Sequence, residues 1–137
     1  MEKKFVLVDN QLSPEDFIRL KVETGFWERP VEQVKVALDN GLFNVTAVCD
    51  GKVVGMGRLV GDGAMYYYLQ EIIVLPEYQG YGIGKSIVNR LLKYIKDNSI
   101  PGTNVSIGLT AVKGKETFYE KFGFNVHSQG MSMYMDI

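Results

Sequence analysis

Three glycines at alternate positions, Gly80, Gly82 and Gly84, most constrain what this chain can fold into. They lie between an apolar run and an amphipathic run, which predicts a strand, a turn and a helix that begins near Gly82. The first N–H groups of a helix have no partner within it, and glycines lack the Cβ atoms that would hold an anion off the backbone. Such a turn can therefore bind a pyrophosphate. Glycine spacing alone leaves open a tight strand-to-helix turn with no ligand.

The residues before the glycines predict one strand, two helices and a three-stranded meander. A short apolar run at residues 5–8 is typical of an edge strand. Ser13 and Pro14 supply the N-cap and first position of a helix that ends at Gly25. The second helix and the three strands are predicted at residues 31–40, 43–49, 53–60 and 66–75. The turns between these strands are short, and short turns require antiparallel pairing.

The residues after the glycines predict two helices, a parallel strand and a C-terminal hairpin. The amphipathic helix spans residues 82–98 and leads to a strand at residues 105–109, which favours a right-handed parallel crossover. Another helix runs from Lys115 to about Phe122 and is followed by a hairpin around Gln129-Gly130. The alternating methionines of this hairpin are expected in the core: Met131, Met133 and Met135.

Length and composition fit a single domain covering residues 1–137. The chain has 46% apolar and 23% charged residues, which is ordinary for a globular protein. The predicted order is β-α-α-β-β-β-α-β-α-β-β, an α/β (α+β) arrangement with a mixed, mostly antiparallel sheet flanked by helices.

Charge and cysteine content exclude several classes of partner and compartment. Fifteen basic and sixteen acidic residues give a net charge of −1, so no overall field favours nucleic acid or a membrane surface. No apolar run approaches the roughly 20 residues of a membrane span, and we expect no signal peptide. The single cysteine, Cys49, excludes an internal disulfide and fits a reducing cytosol, so we expect a cytoplasmic protein.

Two segments resemble motifs of one enzyme superfamily. The segment VLPEYQGYGIGKSIVNRLL, from Val74 to Leu92, resembles the acetyl-CoA signature of the GNAT superfamily of N-acetyltransferases. Gln79, Gly82 and Gly84 fill the fixed positions of that motif. Downstream, FYEKFGF at residues 118–124 resembles the family's helix-to-strand segment with its tyrosine. The resemblance implies a sheet that splays between its fourth and fifth strands, with acetyl-CoA as the cofactor.

The resemblance also implies roles for individual residues. The strand before the glycines should be bulged and should offer backbone amides to the cofactor. The implied cofactor-binding residues are Ile72, Ile73, Val74, Gln79, Gly80, Tyr81, Gly82, Ile83, Gly84 and Lys85. Tyr119 is the implied acid for the leaving thiolate, and a tyrosine that only packs on the sheet is the alternative. Glu71 is the implied general base through water, and a solvent-facing or acceptor-binding carboxylate is the alternative.

The chain departs from the family at one contact. Many relatives carry a cofactor-binding asparagine after the fifth strand, where this chain reads TAVKGK at residues 110–115. Either the contact is missing or Lys113 replaces it through a phosphate.

Several other residue types leave a choice between a structural and a functional role. Gly55 and Gly57 make room on the middle strand for packing or for a ligand. Trp27 either fills the space between two helices or forms a wall of the acceptor pocket. Five aromatic residues either line a slot for the amine or simply fill the strands and the helix junction: Phe26, Trp27, Tyr66, Tyr67 and Tyr68. His127 is expected to be structural, and Cys49 lacks a recognisable base partner. No Cys, His and carboxylate cluster has metal-ligand spacing, so we expect no metal site.

The sequence predicts an enzyme that moves an acetyl group from acetyl-CoA directly to a primary amine of a small molecule or to an exposed amino group. A non-catalytic acyl-CoA-binding domain, acting as a sensor or interaction surface, is the alternative. A Rossmann unit is disfavoured because the glycines follow an antiparallel meander rather than open a βαβ unit. The sequence does not identify the acceptor and leaves open a monomer or a homodimer.

Overall fold

The computed structural model describes residues 3–126 and 130–137. Its elements are β1 (Val6–Asp9), α1 (Pro14–Glu23), α2 (Val31–Asn40), β2 (Phe43–Cys49), β3 (Lys52–Gly61), β4 (Tyr66–Val74), α3 (Ile83–Asn98), β5 (Ser106–Leu109) and α4 (Glu116–Glu120). A short 3₁₀ turn at Pro76–Tyr78 connects β4 to the glycine loop. These elements follow the order predicted from the sequence up to the helix before the tail.

The five strands form one sheet in chain order, β1-β2-β3-β4-β5. Neighbouring strands from β1 to β4 are antiparallel, which confirms the predicted meander. Strand β5 runs parallel to β4 and is reached through α3, which confirms the predicted crossover. The mixed sheet with flanking helices is therefore the predicted fold class.

Both main helices are formed for the reasons the sequence suggested. The Ser13 side chain accepts a hydrogen bond of 3.1 Å from the backbone N–H of Asp16, which caps α1. Helix α3 lays an apolar stripe on the sheet, with Ile87 and Leu91 fully buried. Burial of this stripe fixes α3 across strands β2, β3 and β4.

The glycines of the middle strand make room for α3. A Cβ atom built on Gly57 would lie 2.5 Å from Cγ2 of Ile87 and 2.9 Å from Cδ1 of Ile72. One built on Gly55 would lie 3.2 Å from Cδ1 of Ile87. Helix and sheet therefore approach too closely for side chains here, which supports the packing alternative for both glycines.

The C-terminal hairpin is the prediction that fails. No strand forms in residues 124–126 or 130–137, so the last two strands of the predicted order are absent from the described residues. Met131 is 98% exposed and Met135 69% exposed, so their predicted place in the core is wrong. Alternation specifies which side chains share a face, but a strand forms only when its backbone pairs with a partner. Gln129 and His127 lie outside the described residues.

Two further features concern the surface. Trp27 is 78% exposed, so it does not fill the space between two helices, and its ring lies 6.1 Å from that of Tyr134. In the part of the chain that the structure describes, every helix is too short or too polar to cross a bilayer.

Candidate active site

The sheet opens beside the second half of β4. Strand β5 pairs with β4 only from Tyr66 to Leu69, whereas β4 continues to Val74. Beyond Leu69, that edge of β4 has no paired strand among residues 3–126 and 130–137, and a groove of about 610 Å³ lies there. Its walls come from the end of α1, the end of β4, the glycine loop with the start of α3, and α4. The groove is thus the splay that the family resemblance implied.

The start of α3 faces this groove with its backbone donors free of side-chain caps. Gly82 is the N-cap residue in the left-handed region, with a φ of 82°, and no side chain bonds to the cap. The first turn carries no acidic residue, and Lys85 lines the groove. An uncapped helix N-terminus with a nearby lysine is a favourable place for a phosphate.

Gln79 fixes the loop that precedes α3. Its side-chain amide donates a hydrogen bond of 3.0 Å to the carbonyl oxygen of Val74. The bond joins the end of β4 to the glycine loop, and Gly80, with a φ of 85°, allows the chain to turn back toward Gly82. Gln79 therefore shapes the loop as well as lining the groove.

Strand β4 bulges at Glu71, as the resemblance implied. Met56 pairs with Ile73 and Arg58 pairs with Gln70, so one residue of β3 faces two residues of β4. Glu71 has a φ of 49°, a conformation that few residues other than glycine adopt, and β-bulges of this kind re-aim the neighbouring backbone and side chains. The three residues after the bulge line the groove: Ile72, Ile73 and Val74.

The Glu71 carboxylate lies beside the groove in an ion-paired cluster. Its Oε2 accepts a hydrogen bond of 2.9 Å from Nε of Arg58, and its Oε1 lies 3.9 Å from Nζ of Lys21. Burial lowers the pKa of the Lys21 ammonium from its usual value, while the charge of Glu71 acts in the opposite direction. Glu71 is not among the residues that line the groove.

Tyr119 lies on α4 and lines the groove. The rings of Phe118 and Phe124 meet it edge-on, with centroids 4.9 and 6.2 Å away. This burial raises the pKa of the Tyr119 phenol above its usual value, and a phenol is protonated at neutral pH even without that shift. A protonated phenol is the form that an acid catalyst requires.

Most of the predicted site residues are brought together here. Ten of them line the groove: Ile72, Ile73, Val74, Gln79, Gly80, Gly82, Ile83, Gly84, Lys85 and Tyr119. Tyr81 does not, and its ring lies 5.3 Å from Nζ of Lys3 instead. Glu71 is the other residue outside the lining. The sequence motifs alone did not require these ten residues to line the same groove.

The groove also contains residues that the sequence did not single out as site residues. Lys115 lines it, whereas Lys113, the predicted replacement for the family asparagine, does not. The wall opposite α4 is formed by Glu23, Thr24 and Phe26, at the end of α1 and in the loop after it. Phe26 is the one of the five aromatic residues considered for an acceptor slot that lines the groove, and Trp27 does not. No sequence pattern distinguishes these residues from ordinary helix-end and loop residues.

A larger cavity, of about 890 Å³, lies on the other side of Tyr119. It is bounded by β5, α4 and residues 130–132, where the predicted hairpin would have packed. Tyr68 also lines it and shares a hydrogen bond with Thr110. Of the three tyrosines considered as an acceptor slot, Tyr67 is buried and bonded to Ser99, at 2.9 Å, and Tyr66 is exposed. None of the three lines the groove.

Residues 36–126 match the family model described as an acetyltransferase (GNAT) domain. The chain belongs to the GNAT family. This confirms the resemblance drawn from the glycine motif and the tyrosine segment. The match includes β4, the glycine loop, α3 and Tyr119, which form most of the groove, whereas the wall at the end of α1 lies before the matched residues.

Curated relatives of this GNAT domain are named as N-acetyltransferases. An uncharacterized one from Prochlorococcus marinus is 28% identical over 93% of this chain and 72% of that protein. Another from Pyropia yezoensis is 28% identical over 73% of this chain and 58% of that protein. A chloroplastic GCN5-related N-acetyltransferase of Arabidopsis thaliana is 32% identical over 58% of this chain and 30% of that protein. The chain therefore spans less than two thirds of the length of two of these relatives.

Solved structures share the fold. A protein of unknown function from Staphylococcus aureus, described as a probable acetyltransferase, is 30% identical with a TM-score of 0.86, covering 98% of this chain and all of that chain. An acetyltransferase from Clostridium acetobutylicum, described as predicted and solved with acetyl-CoA, has a TM-score of 0.74 and 15% identity, covering 96% of each chain. At that identity, the second likeness concerns the fold alone.

Proposed function

We propose that this protein is an acetyl-CoA-dependent N-acetyltransferase that acts by direct transfer to a primary amine of a small molecule or to an exposed amino group. The observation that carries the proposal is that one groove holds the uncapped N-terminus of α3, the bulged end of β4 and the protonated phenol of Tyr119. These are the parts that thioester chemistry needs: an anion cradle, backbone donors and an acid.

The groove residues fit coenzyme A. A Cβ built on Gly80 or Gly82 would have no heavy atom within 4 Å, so both backbones face open space where a phosphate can approach. Lys85 and Lys115 line the same groove and would complement the phosphate charge. Acetyl-CoA would supply the acetyl group as a thioester.

Two groups of the chain would act on the transfer itself. The edge of β4 from Ile72 to Val74 would direct backbone groups at the thioester carbonyl and polarise it. Tyr119 would give its Oη proton to the departing thiolate, because it lines the groove and its phenol is protonated at neutral pH. Cys49 is 5% exposed and does not line the groove, which supports direct transfer rather than an acyl-cysteine intermediate.

Glu71 is our candidate for removing the proton of the attacking amine. It immediately precedes Ile72 at the groove, and its carboxylate lies outside the lining, so the proton would pass through a water molecule. Both of its oxygens face cations, which fixes the orientation of the carboxylate. In this proposal Glu71 acts through water and touches neither the thioester nor the acetyl group.

The proposal is tested by measuring thiol release from acetyl-CoA in the presence of polyamines, arylalkylamines, aminoglycosides, amino acids and peptide N-termini. We expect at least one class to give release above the rate without an amine, and mass spectrometry to show an acetylated product. Binding of acetyl-CoA without thiol release across this panel would favour the non-catalytic sensor instead.

Two further expectations stay predictions. A cytoplasmic location was predicted, and the relatives include a protein named as chloroplastic, so we propose only a reducing compartment for Cys49. A monomer or a homodimer is proposed for the oligomeric state.

A further inference from the structure

A cluster of partly buried charges lies at the bulge of β4. It joins Lys21 of α1, Arg58 of β3 and Glu71 of β4, whose side chains are only 15%, 14% and 13% exposed. Three elements of the fold thus each contribute a charged side chain to one largely desolvated place. We call these residues the bulge cluster.

The bulge cluster has more positive than negative charge. Arg58 and Lys21 both lie within 4 Å of the single carboxylate of Glu71. Across residues 3–126 and 130–137, neither cation has a second carboxylate within that distance. The Arg29 guanidinium adds further positive potential, because together with Arg58 it contributes to lowering the pKa of Lys21. Burying a charge is costly unless it is paired, so an excess cation here favours an anionic ligand.

Glu71 does not need Lys21 as a hydrogen-bond partner. The bond of 2.9 Å from Arg58 already satisfies one carboxylate oxygen. At 3.9 Å, the separation of Lys21 Nζ from Oε1 is longer than a hydrogen bond. The Lys21 ammonium therefore keeps donors for another group.

The bulge cluster adjoins the groove at the end of α1. Nζ of Lys21 lies 5.2 Å from the centroid of the Phe26 ring, and Phe26 lines the groove. Glu71 is followed directly by Ile72, which lines the groove as well. Lys21 and Arg58 are not among the lining residues, so the positive charge lies beside the groove, next to Phe26 and Ile72.

We propose that the acceptor is an amine that also carries an anionic group, a carboxylate or a phosphate ester, and that Lys21 with Arg58 binds this group. The inference rests on the proposed function, because it names the class of acceptor for the same groove. The amine would be directed toward the β4 edge while the acidic group is held at the bulge cluster. The ion pair with Glu71 keeps Arg58 in place for this role.

Calorimetric titration of the protein with bound coenzyme A tests the proposal with two matched pairs of ligands. Phenylalanine is compared with phenethylamine, and phosphoethanolamine with ethanolamine, so that each pair differs by one anionic group. We expect the anionic member of at least one pair to bind about 10- to 100-fold more tightly, which is the worth of one charge-assisted hydrogen bond. The two pairs distinguish a carboxylate from a phosphate ester.

Three variants test whether the tighter binding of the anionic ligand depends on Lys21. Lys21→Met should abolish it, Lys21→Arg should retain most of it, and Lys96→Met, an exposed lysine of α3, should leave it unchanged. Equal binding within both pairs, or no measurable binding of any anionic member, would overturn the proposal without recourse to a variant. A Lys21→Met protein that melts earlier but keeps the preference would also overturn it and would leave the cluster a purely structural one.

Thiol release measured on the same pairs separates this inference from the proposed function. A preference in binding with no thiol release from either member, nor from any amine of the wider panel, would contradict the transferase and keep the anion site. Thiol release with the neutral amines at rates equal to those with the anionic ones, and with equal affinity, would keep the transferase and remove the anion site.

Discussion

The α3 end of the site and its bulge end present different kinds of chemical group. At the α3 end, the groups available for binding are backbone N–H donors. Gly80 and Gly82 leave open space beside this backbone because they have no side chain. At the bulge end, side chains from α1, β3 and β4 gather around Glu71 beside the groove, and none of the three charged residues lines it. One end depends on local backbone geometry, and the other depends on the tertiary fold.

This difference predicts how each end tolerates change. Binding by backbone donors is lost when a side chain or a charge is added, because the added group occupies the space that the ligand needs. The glycines themselves have no side chain to remove. A cluster of side chains is disrupted when one charged group is removed. The energetic cost depends on whether the remaining charges are then left unpaired.

The largest effect is expected at the α3 end. Gly82→Asp places a carboxylate at the helix N-terminus, where the phosphates should bind. Loss of several charge-assisted bonds should lower acetyl-CoA affinity about 10⁴-fold, measured by calorimetry. Gly102→Asp is the matched control, because Gly102 has the same φ of 82° and an equally open Cβ position but lies outside the groove lining. Near-normal binding by a folded Gly82→Asp protein would remove this loop from the cofactor site.

The next effect is expected at the bulge. Glu71→Gln should lower kcat about 10³-fold, within the range of about 10²–10⁴ for general-base catalysis. The deficit should shrink as rising pH deprotonates the free amine, and Glu15→Gln, an exposed residue of α1, should behave like the parent. A pH–rate profile that superimposes on that of the parent would leave Glu71 as a residue of the bulge cluster only.

The next effect is expected for Tyr119→Phe. This substitution should lower kcat about 100-fold with little change in KM, since only a transition-state interaction is lost. The ring and its contacts with Phe118 and Phe124 remain. Tyr94→Phe serves as the control, because Tyr94 packs on Phe43 away from the groove. Full kcat in the Tyr119→Phe protein, measured where chemistry limits the rate, would show that Tyr119 only packs.

The smallest effect concerns stability beneath the bulge. Gly57→Ala places a methyl group 2.5 Å from Cγ2 of Ile87, so the free energy of unfolding should fall by about 1–3 kcal/mol in urea titrations. Gly130→Ala, where a Cβ meets nothing within 4 Å, should change it little. An unchanged stability in the Gly57→Ala protein would mean that α3 can move away from the sheet, and that the bulge is less rigid than its contacts indicate.

The sequence predicted the α3 end well because its signals are local. Positive φ at Gly82, the strand before it and the apolar stripe after it all lie within one continuous segment, so they agree without knowledge of the rest of the fold. Tyr119 was found through the family motif, and its place on the groove follows from the parallel crossover.

The bulge end and the tail could not be predicted in the same way. Nothing in the sequence brings Lys21 to Glu71, because their 3.9 Å separation results from packing α1 on the sheet. Lys115 rather than Lys113 lines the groove, and Lys115 lies in a turn in which its backbone N–H donates to the carbonyl oxygen of Val112. For Met131 and its alternating neighbours, the pattern specified a face but supplied no partner strand, and those side chains lie in solvent.

The central claim is that the α3 N-terminus and the end of β4 together bind acetyl-CoA. Amide hydrogen exchange with and without acetyl-CoA tests it most directly, because the first N–H groups of α3 have no partner within the helix. We expect exchange to slow in peptides covering residues 70–85 and to stay unchanged in β1. Protection confined to β5 and residues 130–132, around the larger cavity, would contradict this account.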